Sequence, residues 1–71
     1  MKTPERNDVI HAINMKKRIT YVTKGTIYEI LYVSKFKFPG ELWFDVITYM
    51  SSDGEIYNRL LSDLGKFQFI D

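Results

Sequence analysis

His11 and the run Ser51-Ser52-Asp53 are the side chains of this sequence best suited to acid–base or nucleophilic chemistry, and neither has the partners such chemistry needs. His11 is the one histidine; its nearest acid in the chain is Asp8, three residues back, and no second His and no Cys can complete a metal or catalytic set. Ser51-Ser52-Asp53 lacks the alternating acids of a calcium loop and is followed by Gly54, which makes it a turn. The four glycines stand apart at 25, 40, 54 and 65, so no glycine-rich loop cradles a phosphate. The expectation is a protein that is not an enzyme and carries no cofactor and no metal.

Binding is the chemistry these residues support. On a strand through residues 42–50, Trp43, Asp45, Ile47 and Tyr49 share one face, and Leu42, Phe44, Val46, Thr48 and Met50 the other. Both faces are largely apolar, and only one can line an interior. The other needs a cover, either an apolar helix stripe or a partner surface. Trp43, Ile47 and Tyr49, with Tyr32, are therefore the candidate protein-binding anchors, since large aromatics dominate hot spots. Lys16, Lys17 and Arg18, with Lys35 and Lys37, are candidates for steering charge. Beside Tyr32, Phe36 or Phe38 they would form a basic and aromatic stripe for nucleic acid.

The elements that position these residues follow from length and punctuation. Seventy-one residues, 45% hydrophobic and 27% charged, make one small domain with a net charge of +1, so no whole-molecule field draws it to nucleic acid or membrane. The chain has no cysteine, and its apolar runs are broken by Glu29 and Asp45 well short of a membrane span. No secretory signal is expected in the first fifteen residues, and a cytoplasmic location follows as the expectation.

Thr3 as cap and Pro4 at the first helical position predict a helix from about residue 4 to Met15, with Val9, Ile10, Ala12 and Ile13 on one stripe. Residues 1–17 then form the helix and its linker. Strands are expected near 18–22, over 26–38, from Leu42 to about Met50, and over 66–70, with turns at Lys24-Gly25 and Pro39-Gly40. Asp53-Gly54 predicts a two-residue hairpin turn placing Met50 opposite Tyr57 and Thr48 opposite Arg59. Leu60 to Leu64, closed by Gly65, fits a single helical turn.

Lys24-Gly25-x-x-Tyr28-x-Ile30, the Asp53-Gly54-Glu55-x-Tyr57 hairpin, the single turn and the aromatic strand Phe67 to Ile70 resemble the small SH3-like barrels often encoded by bacteriophages. The resemblance covers residues 18–71. It implies a mainly β fold, a five-stranded antiparallel SH3-like barrel with an N-terminal α-helix. It also implies a phage-type accessory protein that binds a host protein in the host cytoplasm and inhibits or redirects it. The acidic, Trp-rich loops of polyproline-binding SH3 domains are absent, so polyproline binding does not carry over. Two other readings stand beside a protein-binding module: a nucleic-acid-binding barrel using the basic stripe, and a small-ligand sink formed within an oligomer.

Overall fold

A computed structural model describes residues 3–70; Met1, Lys2 and Asp71 of the expected segments lie outside them. Helix α1 spans Arg6–Asn14, starting two residues later than the Thr3-Pro4 signal suggests. Asp8 is the reason. Its carboxylate accepts the backbone N–H of Glu5 at 2.9 Å, which makes Glu5 the cap and leaves Pro4 ahead of the helix. At the other end Lys16 takes a left-handed φ of 55°. The Lys16 and Lys17 amides donate to the carbonyls of Ile13 and Ala12 at 3.0 and 2.8 Å, a helix terminus usually closed by glycine.

Five strands follow: β1 (Arg18–Tyr21), β2 (Thr26–Phe38), β3 (Leu42–Ser51), β4 (Ile56–Leu60) and β5 (Phe67–Ile70), with a 3-10 turn at Leu61–Asp63 before β5. All pairings are antiparallel, in the order β4-β3-β2-β1-β5. The pairing of β2 with β3 shifts register between Ile30 and Tyr32, a bulge that bends the longest strand. Before the bend, Thr26 to Glu29 pair with β1; beyond it β2 keeps only β3 as a strand neighbour. The helix takes up the space where β1 would have continued. Arg18 lies opposite Glu29, the chain just before it belongs to the end of α1, and α1 packs on β2 while Arg6 reaches Asp45 on β3.

The sheet is open rather than a closed barrel: among the described residues β4 and β5 share no ladder. It curls nonetheless. Tyr49 of β3 and Phe67 of β5 bring their rings to 5.9 Å across two intervening strands, and the Arg59 guanidinium of β4 lies 5.3 Å from the Phe67 ring. Inside the curl sits the core of Val9, Ala12, Ile19, Ile30, Ile47, Tyr49, Leu61, Leu64 and Phe67, with no buried polar side chain among the described residues. Helix and 3-10 turn close the curl that backbone pairing leaves open.

The second hairpin corrects the expected register. Tyr49 lies opposite Tyr57 and Met50 opposite Ile56, one residue away from the pairing a two-residue turn gives. Ser51 bonds Glu55 across a three-residue loop, with Gly54 N–H returning to the Ser51 carbonyl at 3.0 Å and Gly54 at φ 92°. A type I turn followed by a left-handed glycine suits this loop as well as a primed turn suits the shorter one. The shift matters because one residue of slip exchanges the faces of a strand. As built, Tyr57 lies on the inner face at the rim of the curl, 44% exposed, with the rings of Tyr49 and Tyr28 5.6 and 6.2 Å away.

Candidate functional site

Of the two apolar faces of β3, the one carrying Ile47 and Tyr49 is the interior. Ile47 is fully buried and Tyr49 is 4% exposed, beneath Val9 and Ala12 of the helix and Leu61 and Leu64. These two expected anchors are therefore core residues and offer no surface to a partner. The helix stripe supplies the cover, although it is rotated from the expected one, with Ile10 exposed and Val9 and Ala12 innermost. Tyr49 is also fixed through its hydroxyl, which accepts Arg59 Nε at 3.3 Å and holds the guanidinium above its ordinary, already high pKa.

Trp43 shares the face of Ile47 but lies beyond the reach of the core. The distal half of the β2–β3 hairpin outruns both flanking strands: β1 ends its pairing at Glu29 and β4 at Val46. Trp43 is 58% exposed there, with Lys37 Nζ 5.9 Å from its ring centre. Next to it a groove of about 410 Å³ is lined by Pro4, Glu5, Arg6, Trp43, Asp45 and Leu61, among others. Its floor is charged but paired: Arg6 Nη1 bonds Asp45 Oδ1 at 2.8 Å, and Lys35 approaches the same oxygen at 3.8 Å. No local pattern in the sequence links Arg6 to Asp45, because the two are 39 residues apart.

Tyr32, the fourth expected anchor, is exposed but stands on the opposite face from Trp43, since the bulge reverses the alternation of β2. Trp43 and Tyr32 therefore cannot form one patch. On Tyr32's outer face Phe36, Phe38 and Phe44 form a cluster, with successive ring centroids 5.0 and 4.8 Å apart, beside Leu42. The signal for it was present, since Phe36, Phe38, Leu42 and Phe44 alternate on two strands joined by a tight turn; what alternation lacked was which face is covered.

The basic residues do not assemble as one stripe. Lys35 and Lys37 sit opposite Asp45 and Trp43, on the face away from Phe36 and Phe38, and Lys37 pairs with Glu41 at 2.7 Å. Arg18 lies opposite Glu29 and Ile70 at the far end of the sheet, and Lys16 and Lys17 belong to the helix terminus. His11 is exposed on α1. At the hairpin tip the Ser51 hydroxyl bonds the Asp53 carboxylate, and with the Glu55 amide it holds Asp53 below the usual carboxylate range. Among the described residues no helix is long and apolar enough to cross a membrane, and no three His, Asp or Glu side chains group as metal ligands.

No family model, no curated protein and no solved structure matches this chain.

Proposed function

We propose that this chain is a non-enzymatic protein-binding module that acts by steric occupation, with Trp43 as its apolar anchor. One observation carries the reading: the single tryptophan stands largely exposed on a projecting hairpin, beside a groove, where the core has no use for it. A large aromatic ring flanked by paired charges is the composition of a hot spot with a polar rim. Arg6, Asp45 and Lys37 provide that rim. The strand order, the bent β2 shared by two parts of the sheet and the single turn before β5 support an SH3-like arrangement. The role of a phage-type accessory protein that occupies a host protein rests on the resemblance of residues 18–71.

The test is affinity capture on the immobilised chain, followed by titration of the purified captured protein against Trp43 fluorescence. A protein retained at high salt, lost by Trp43→Ala and kept by Lys16→Glu with Lys17→Glu supports the reading. Retention of nucleic acid that falls linearly with salt in logarithmic form, and is lost with the lysines instead, overturns it.

A further inference from the structure

We infer that the outer face of β2, β3 and β4, opposite Trp43, is an interface with a second copy of this chain. An antiparallel sheet with one face on a core ordinarily turns polar residues to water on the other. Here the solvent face carries Tyr32, Phe36, Phe38, Leu42, Phe44, Val46, Ile56 and Leu60, and neither α1 nor the 3-10 turn lies over it, since both pack into the core on the inner side. From Ser34 and Val46 to the hairpin tip this face has no charged side chain; Lys35, Lys37 and Asp45 all point the other way.

Three features select a second copy as the occupant. The first is area. Tyr32, Phe36, Leu42, Phe44 and Ile56 leave on the order of 500 Å² exposed, and with the partly exposed Phe38, Val46 and Leu60 the face approaches the roughly 800 Å² per partner of a standard interface. The second is charge: the distal half of the face, from the row of Ser34 and Val46 to that of Phe38 and Leu42, turns no charged side chain outward, so it meets its own image across a two-fold axis without like charges colliding, and Glu29 lies at the far end beside Met50 and Ile56. The third is relief. Phe36, 56% exposed, stands on the wall of a groove of about 390 Å³ that Ser34, Phe38, Val46 and Leu60 also line, so each copy offers both an aromatic ring and a concavity to receive one.

The test is the mass of the full chain by sedimentation equilibrium from about 10 µM to about 1 mM. The expected result is a rise to twice the 8.4 kDa of one chain. Phe36→Glu, which places two carboxylates face to face, is expected to return the single-chain mass, and Trp43→Ala to leave the dimer intact. Leu42→Glu, at another exposed position of the same face, gives a second, independent reading and is likewise expected to return the single-chain mass. It decides the matter should Phe36→Glu fail to fold. A wild-type mass of 8.4 kDa up to about 1 mM, a dimer that survives Phe36→Glu, or one lost with Trp43→Ala overturns the proposal. Since Trp43 lies on the other face, failure here leaves the binding reading standing, and the reverse.

Discussion

Tyr49 on β3 and Phe67 on β5 meet at 5.9 Å although β2 and β1 separate their strands in the sheet. This contact turns an open sheet into an enclosed core, because it draws the two halves of the sheet together over Ile19, Ile30 and Ile47. Tyr49→Ala removes the ring together with its contacts to Tyr28, Tyr57 and Phe67 and the bond from Arg59. A loss of about 3 to 5 kcal/mol is expected, comparable to the whole stability of a domain this small. Trp43→Ala is expected to cost under about 1 kcal/mol, since its ring is mostly in water. Urea unfolding of both variants checks the contrast, and equal losses would show that Trp43 belongs to the core.

Lys16 occupies the left-handed position that ends α1. A β-carbon there crowds the following carbonyl, which glycine avoids. Lys16→Gly is expected to stabilise the fold by about 0.5 to 1 kcal/mol, raising the melting temperature by roughly 2 to 8 °C. Thermal unfolding followed by circular dichroism measures it, and a lower melting temperature would contradict the geometry.

Arg6 and Asp45 tie the start of the helix to the distal hairpin, with both side chains about one-third exposed. A coupling of about 0.5 to 1 kcal/mol is expected from a double-mutant cycle of Arg6→Ala and Asp45→Asn, shrinking as salt is raised. A cycle that closes to zero at low salt would remove the ion pair from the account of how the helix is held.

Asp53 keeps its charge to lower pH than an ordinary aspartate, first because of the Ser51 hydroxyl and then because of the Glu55 amide. The sign follows from the depression. The contribution is complete above the ordinary carboxylate value near 3.8 and is lost as pH falls through the lower folded value. Carboxyl NMR titration is expected to show Asp53 titrating below 3.8 in the wild type and moving upward in Ser51→Ala. An unchanged midpoint in that variant would assign the depression elsewhere.

Local signals made most elements legible. Strand β2 runs over Thr26–Phe38, as its apolar and β-branched run between Gly25 and Pro39 predicts, and the single turn before β5 stands where Gly65 closes it. Caps and registers were harder, for a physical reason. Asp8 competes with Thr3 to start the helix, and Ser51 to Glu55 satisfies either of two loop lengths, so the winner is set by energies of about 1 kcal/mol.

Alternation along β3 separated Trp43, Asp45, Ile47 and Tyr49 from Leu42, Phe44, Val46, Thr48 and Met50, and that division stands in the register of the sheet. Which set is inside was beyond the sequence, because both are apolar and hydrophobic burial has no direction of its own. Tertiary structure decided it. Val9, Ala12, Leu61 and Leu64 converge on one face only, and the bulge between Ile30 and Tyr32 moves Tyr32 away from Trp43. Ile47 and Tyr49 thereby became the core, while Trp43 on one side and Phe36 with Phe44 on the other remained at the surface.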